Sequence, residues 1–181
     1  MSTKPFETTS VDIPGGTLVV VVDPDDGAVV ASGFADLDHV FAFLTDAEQA
    51  RGHAPAPADG PATRDAVEAL QSYALGDLGA LDDVAVSQPG GPFLQRAWEE
   101  LRAVKAGETD SYAGLAERAG SPAAVRAAGQ ACARNKVAPF VPCHRIVRTD
   151  GTLGGYAYGL GVKEALLRHE GALPAESTLF A

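Results

Sequence analysis

The 181-residue chain carries 14 Lys and Arg against 24 Asp and Glu, a formal charge of −10, with 46% apolar and 21% charged residues; this is a globular composition for one domain or two small ones, not a disordered or fibrous one. The longest aliphatic run, Leu18 to Val22, is far shorter than the roughly 20 residues of a membrane span, and the N-terminal segment lacks the apolar stretch of a signal peptide, so the expectation is a cytoplasmic protein with no membrane partner. Cys132 and Cys143 are too few for a disulfide framework or a tetrathiolate zinc site and are read as thiols.

Residues 17–22 and 28–34 are rich in β-branched side chains and flank Asp23-Pro24-Asp25-Asp26-Gly27, which predicts two strands joined by an acidic hairpin loop. Val40, Phe41 and Leu44 at helical spacing predict a helix within 36–50 that packs on that sheet. Residues 53–62 are Pro- and Ala-rich without periodicity and read as a surface linker. Thr63 is then expected to cap a helix with Val67, Leu70 and Tyr73 or Ala74 on one face. From Pro92 the pattern becomes helical: Phe93, Ala97, Leu101 and Val104 form a stripe with Trp98 beside it, closed by Gly107. Ser111 is placed to cap a short helix over 112–119; Gly120-Ser121 turns the chain, and Pro122 opens a helix over 122–134. Two short helices across such a turn suit a helix-turn-helix, although the pattern alone more often marks an ordinary helical hairpin. The second is rich in Ala and Gly, which permits close approach to another surface, and projects Arg126 and Arg134.

Charge is unevenly divided along the chain. Residues 1–95 hold Lys4, Arg51 and Arg64 against 15 acidic residues, whereas residues 96–181 hold 11 basic and nine acidic. Affinity for nucleic acid rests largely on Lys and Arg neutralising phosphates, so a polyanion would be met by the C-terminal half alone. An acidic surface serving solubility or a salty cytoplasm accounts equally well for the N-terminal excess.

Chemistry concentrates at residues 135–148. Cys143 stands between Pro142 and His144, with Arg145 following, whereas a structural cysteine ordinarily sits among aliphatics. The thiolate is the nucleophilic form, and a nearby imidazolium or guanidinium favours it. On a regular strand Cys143 and His144 would point to opposite faces, so His144 acts on Cys143 only through an irregular backbone or a bridging water; Pro142 favours the irregularity. Cys132, in an Ala-rich helix, reads as core packing or an incidental surface thiol.

The Pro-Cys-His-Arg-Ile run at 142–146, with Arg126 and Asn135 before it, resembles the O6-alkylguanine-DNA alkyltransferases, the methylated-DNA–protein-cysteine methyltransferases. The likeness runs from about Pro92 to Gly171 and includes Pro92-Phe93, Trp98, Gly107-Glu108-Thr109, Ser111-Tyr112, Arg126-Ala127-Ala128-Gly129, Gly154-Gly155-Tyr156 and the run Lys163 to Gly171. Arg126 lies 14 residues after Tyr112, Cys143 17 after Arg126 and Glu170 27 after Cys143, in the family's register. Residues 1–91 match only in outline.

The resemblance implies direct, irreversible transfer of an alkyl group from O6 of guanine, and from O4 of thymine, in duplex DNA to Cys143, each molecule being spent after one turnover. It implies His144 as the base acting through a water, Glu170 as the carboxylate orienting it, Asn135 as the brace of the active-site turn, Tyr112 as the phenol on guanine N3, and Lys163 near the pocket. It further implies that the nucleotide is flipped out while Arg126 fills the vacated stack. Ala127, Gly129, Arg134, Lys136 and Arg145 are expected at the DNA. Ile146, Gly154, Tyr156, Ala157 and Tyr158 are expected around the base and its alkyl group. Lys136 stands where the family usually has proline, and the bulk of Tyr158 predicts slower transfer of benzyl than of methyl. No cofactor and no metal are expected, the N-terminal zinc site of some members included. The partner is double-stranded DNA containing O6-alkylguanine; the protein is expected to be a monomer, with clustering along DNA left open.

The expected fold class is α+β, with a small N-terminal sheet domain with flanking helices over residues 1–91, facing away from DNA, and an all-helical, helix-turn-helix half over 92–181 that carries Cys143. A non-catalytic binder of alkylated DNA is disfavoured by the presence of Cys143. A thiol hydrolase using Cys143, His144 and Glu170 lacks an oxyanion-hole motif. A plain helix-turn-helix regulator leaves the Pro-Cys-His-Arg run without a role.

Overall fold

The computed structural model describes residues 3–57 and 60–174. Strand β1 (Phe6–Ile13) forms an antiparallel hairpin with β2 (Gly16–Val22), β2 pairs antiparallel with β3 (Val29–Gly33), and the short β4 (His53–Pro55) runs parallel to β1. The sheet order is therefore β3-β2-β1-β4. The tight turn between β1 and β2 needs glycine: Gly15 has φ of 104°, and a Cβ there would sit 3.0 Å from Val162.

β1 is not expected from the sequence. Phe6 and Thr8 are buried on one face of the strand and Val11 and Ile13 on the other, so no single alternation runs through it. Both faces of the sheet are covered. Helix α1 (Leu37–Phe41) and the turn after it pack Val40 and Leu44 on Phe6, Val21 and Val30. On the opposite face, the long helix over residues 61–74 sets Ala66, Leu70 and Tyr73 against Val11, Leu18 and Val20. The helix expected within 36–50 is broken after Phe41, because Asp36 and Thr45 each cap a short helix; Thr45 makes a reciprocal capping box with Glu48 at the start of α2 (Asp46–Gln49). The expected linker over 53–62 instead supplies β4 and the first turn of α3 (Pro61–Ala74); Ala58 and Asp59 lie outside the described residues. Gly60 precedes α3, and Thr63, rather than capping, is buried inside it.

In the C-terminal half, α4 (Pro92–Ala103) presents Ala97, Trp98 and Leu101 to the core. β5 (Asp110–Ser111) leads into α5 (Tyr112–Arg118), where the Ser111 hydroxyl accepts from Gly114 N–H at 3.0 Å. α6 (Val125–Ala133) begins later than expected, with Pro122 left in the preceding turn. Ala97, Ala119 and Ala131 pack together, their small size drawing α4, α5 and α6 close, and the Trp98 indole N–H donates to the Ala131 carbonyl at 2.9 Å. The half is not wholly helical: β6 (Ile146–Val147) pairs parallel with β5 and so ties the chain leaving the Cys143 region to the start of α5. α7 (Leu160–His169) closes the core with Leu166 and Leu167.

One hydrophobic cluster crosses the boundary expected at residue 91, uniting Leu18, Leu70 and Tyr73 with Leu101, Leu115 and Leu166. Each such fully buried leucine contributes about 1.5–3 kcal/mol relative to exposure. Polar seams join the halves as well. Ser32 N–H and its hydroxyl donate to the carbonyls of Lys136 and Ala138, each at 2.7 Å, so the edge of β3 holds the segment that leads to Cys143. Among the described residues no helix is long and apolar enough to cross a membrane.

Candidate active site

The backbone at Cys143 is a turn, not a strand. Pro142 precedes a single 3-10 turn, Cys143–Arg145, closed by Arg145 N–H on the Pro142 carbonyl at 3.0 Å. Tight winding lets three consecutive polar side chains all point inward: Cys143 is 8% exposed, His144 0% and Arg145 2%.

Asn135, just beyond α6, braces this turn. Its amide N–H donates to the Val141 carbonyl at 2.7 Å and to Cys143 Sγ at 3.2 Å, while its Oδ1 accepts from Val137 N–H at 3.2 Å. Gln88, which the sequence does not single out, supports the brace from the other side: its Nε2 donates to Asn135 Oδ1 at 3.3 Å and its Oε1 accepts from Lys136 N–H at 3.1 Å. Burial pushes the Cys143 thiol up from its ordinary value, and the Asn135 hydrogen bond and the Lys163 charge recover only part of that shift. The resting group is a neutral thiol.

Behind Cys143, Glu170 Oε1 meets His144 Nε2 at 2.9 Å. Arg145 adds two bonds, Nη2 to Oε1 at 2.9 Å and Nε to Oε2 at 3.0 Å, and the Tyr73 hydroxyl donates to Oε1 at 2.9 Å. Burial alone would raise the Glu170 carboxyl, but the hydrogen bonds and charges of His144 and Arg145 outweigh it and hold the group at about 2. Burial also lowers the His144 imidazole, against the pull of Glu170, and so favours the neutral ring. Its Nδ1 is buried and has no hydrogen-bond partner among the described residues, which leaves the nitrogen available to a proton.

Cys143 opens onto a cavity of about 260 Å³ lined by Tyr112, Asn135, Tyr156, Ala157 and Tyr158, and by Cys132 and Gly129 of α6. Cys132 therefore belongs to the pocket wall, a position that its Ala-rich helix did not signal; burial pushes its thiol well up. Tyr158 is held at its back, with its hydroxyl donating to the Ser32 carbonyl at 3.2 Å and its ring edge-on to Phe34 and Tyr156. Gly154 has φ of 70°, and a Cβ there would lie 3.1 Å from the Tyr112 hydroxyl. Burial pushes the Tyr112 phenol up, so it stands as a neutral donor.

Lys163 and Ile146 stand outside the cavity. The Lys163 ammonium is fully buried and donates to the carbonyls of Ile146 at 2.5 Å, Gly155 at 3.4 Å and Leu153, fastening the loop of the pocket wall to β6. Ile146 itself packs in the core. Arg126 and Arg134 are exposed on α6, with Ala127 and Gly129 half-buried between them. A Cβ at Gly129 would meet nothing within 4 Å, so this face of the helix is open.

Two residues expected at DNA are placed elsewhere. Arg145 lies beneath the active site, bonded to Glu170 and to the Val104 carbonyl at 2.6 Å; a guanidinium so enclosed cannot reach a phosphate. Lys136 is also buried, its ammonium 3.7 Å from Glu48, because Ser32 holds its backbone against β3 and turns its side chain toward the N-terminal half. Arg118 is paired with Glu100 and Asp110. Of the six basic residues between 111 and 150, Arg126, Arg134 and Arg148 remain exposed and outside any ion pair among the described residues.

Residues 92–172 match the family model for the 6-O-methylguanine DNA methyltransferase DNA-binding domain. The methylated-DNA–protein-cysteine methyltransferase of Salmonella typhimurium is 43% identical over 104 residues, 58% of this chain and 61% of that protein. The chain thus spans less than two thirds of the length of the curated relatives it matches first. The crystal structure of the Mycobacterium tuberculosis O6-methylguanine methyltransferase superposes with a TM-score of 0.71 at 31% identity, covering 98% of this chain and 99% of that one. A second structure, of the M. tuberculosis protein OGT in complex with DNA, gives 0.71 at 30% identity over 92% and 93% of the two chains.

Proposed function

This chain belongs to the methylated-DNA–protein-cysteine methyltransferase family, and on that footing we propose that it repairs duplex DNA by moving an alkyl group from O6 of guanine, or O4 of thymine, onto its own Cys143. The observation that carries the reading is the placing of one thiol: Cys143 Sγ lies at the wall of a base-sized cavity, bonded by Asn135 and adjacent to the His144–Glu170 pair.

The chemistry follows from that arrangement. A buried neutral thiol resists casual electrophiles and needs a base before it can attack. Neutral His144 takes the thiol proton through a water, and Glu170, ionised at neutral pH, stabilises the imidazolium that results. Cys143 Sγ then displaces guanine in line at the alkyl carbon. The S–C bond forms as the C–O6 bond breaks, the electron pair leaves with the base, and the proton lost by the thiol is returned to the purine. Tyr112 donates toward N3 as negative charge develops there, and Tyr156, Ala157 and Tyr158 enclose the base and its alkyl group. Lys163 keeps the wall in place by holding the 153–155 loop. The thioether is stable, so each molecule acts once.

O6 of a stacked guanine is hidden from a thiol at the wall of a cavity, so the nucleotide is flipped out, which costs on the order of a few kcal/mol. Exposed Arg126 fills the stack, and the small residues Ala127 and Gly129 let α6 approach the minor groove while Arg134 meets a phosphate. In this reading the division of labour falls near residue 91, with DNA and chemistry assigned to residues 92–181 and support to residues 1–91. The protein acts as a monomer in the cytoplasm, where its DNA substrate lies if the host is a prokaryote.

The test is mass spectrometry of the intact protein and its peptides after incubation with a duplex holding one O6-methylguanine, with Cys143→Ala and Cys132→Ala alongside. One methyl on Cys143, stoichiometric and lost only in Cys143→Ala, is the expected result. An unmodified protein that still binds the lesion refutes transfer in favour of damage sensing, and turnover without a protein adduct refutes it in favour of hydrolysis.

A further inference from the structure

Glu170 is served by three donor residues from two parts of the chain. His144 and Arg145 come from the active-site turn and Tyr73 from α3, in the half that bears no motif. We propose that Tyr73 is a positioning residue for the Cys143 acceptor, acting through Glu170: its hydroxyl shares the carboxylate oxygen that holds His144 and so sets how strongly that oxygen binds the imidazole.

The geometry supports a role beyond packing. Tyr73 is fully buried, and its hydroxyl reaches Oε1, the oxygen that also accepts from His144 Nε2 and Arg145 Nη2, all three at 2.9 Å. An oxygen shared among three donors gives less to each than one shared between two. Burial and the charge of Glu170 push the phenol far above its ordinary range, so it donates throughout the working pH range. Tyr73 is itself fixed: His169 Nε2 lies 2.7 Å from its carbonyl, and the His169 ring stands edge-on to the phenol ring at 4.9 Å between centroids. The other groups acting on His144 and Glu170 are Arg145 from the turn and Lys163 from α7, while Tyr156, from the pocket wall, feels both Glu170 and Tyr73. Among the described residues, Tyr73 is the hydrogen-bond donor that residues 1–91 give to Glu170. The N-terminal half would thereby reach the reacting thiol through two links, Glu170 and His144, without touching DNA.

The inference rests on Cys143 as acceptor, and its test separates the two. Rates of Cys143 modification are followed against pH in the unsubstituted protein and in Tyr73→Phe, once with the O6-methylguanine duplex and once with iodoacetamide, and read on the Cys143 peptide. Phe keeps the ring and removes one hydroxyl. Freed of a donor, Glu170 binds the imidazolium more strongly, so the acid limb of the profile should move to higher pH; the carboxylate itself loses one of its anchors, so the plateau rate with the duplex should fall by about tenfold. Profiles that superpose, or that differ only by a uniform factor, overturn the proposal. In a Glu170→Gln background the same substitution should leave the limb in place, and an equal shift there overturns the route through Glu170. In the unsubstituted protein, a slowly exchanging Tyr73 hydroxyl proton with a nuclear Overhauser contact to the His144 ring is expected, and its absence overturns the bond whether or not the variants fold. Modification by iodoacetamide but not by the duplex refutes the repair reading, and Tyr73 is then judged on the iodoacetamide profile.

Discussion

The two halves of the molecule bury ion pairs of very different kinds. In the N-terminal half, Arg51 clasps Asp23 with both terminal guanidinium nitrogens, at 2.6 and 3.0 Å, but the side chains stay 16% and 19% exposed, and the carboxyl is lowered chiefly by that hydrogen bond. In the C-terminal half, Arg145 and Glu170 are closed off from water and share their bonds with His144 and Tyr73. The first pair staples a loop to the sheet, with Arg51 also lying over the Phe6 ring. The second is a network in which removing Arg145 or Glu170 strands the buried charge of the other. The contrast locates where the fold is committed to chemistry and where it is merely held together.

The most severe way to sharpen that contrast is to break each pair in turn. Arg145→Ala should destabilise the protein by about 3–5 kcal/mol in urea unfolding, because Glu170 is left buried without its guanidinium. Arg51→Ala should cost about 1 kcal/mol, as a partly solvated pair does. Equal losses from the two substitutions would remove the distinction.

Acid separates the halves next. His144 is held neutral by burial, so the unfolded chain binds its proton more readily, and this contribution to stability is lost as pH falls below the ordinary histidine value of 6.5. Glu170 has the opposite charge but the same trend. Its contribution is complete above its ordinary 4.5 and disappears as pH falls toward about 2. Asp23, the N-terminal counterpart, begins to lose its contribution only below 3.8. The urea midpoint should therefore start to fall between about pH 6.5 and 5 in the unsubstituted protein and stay level there in His144→Gln. An unchanged slope in the variant would show that another group titrates.

The sheet also meets the pocket wall, at Tyr158. A Cβ on Gly33 would lie 2.2 Å from the Tyr158 hydroxyl, so Gly33→Ala must move the ring that walls the cavity, at about 1–3 kcal/mol of stability. In the unsubstituted protein methyl transfer should outpace benzyl transfer. Tyr158→Ala should narrow that gap by removing the wall, and Gly33→Ala by less, through loss of the Ser32 anchor. Benzyl and methyl rates that are already equal would dismiss Tyr158 as a size filter.

The halves also differ in how far the sequence announces them. Cys143 and His144 stand out in the Pro-Cys-His-Arg run itself, whereas Asn135, Tyr112 and Glu170 are singled out only by the resemblance to the family and its register; the structure gathers all five within one network and one cavity. The brace by Gln88 and the bond from Tyr73 have no such signal. Each comes from a single side chain on an otherwise ordinary segment, bonded to Asn135 47 residues on from Gln88 and to Glu170 97 residues on from Tyr73. β1 was hidden for a related reason: its ends bury opposite faces, so the period that marks a strand is interrupted at Thr9 and Ser10. Arg145 misled in the other direction. Within a basic run it reads as a phosphate contact, and only the tight turn at Cys143 shows that it points inward.

That inward turn has a consequence for binding. Of the six basic residues between 111 and 150, Arg145 and Lys136 are buried and Arg118 is paired, so the proposed contacts with phosphates and the vacated stack fall to Arg126, Arg134 and Arg148. Each phosphate neutralised contributes about −0.9 to the slope of log affinity against log salt, so three such contacts give a slope of about −3 or shallower, where six would give about −5. Arg134→Ala and Arg148→Ala should each flatten the slope by about 1. Arg126→Ala should lower the transfer rate more than the slope, since its side chain is assigned to the stack. Charge reversal in the other half, at Glu68 on α3, should leave the slope unchanged. A slope near −5, or one that responds to Glu68→Lys as much as to Arg134→Ala, would place DNA against the acidic half and undo the assignment of the two faces.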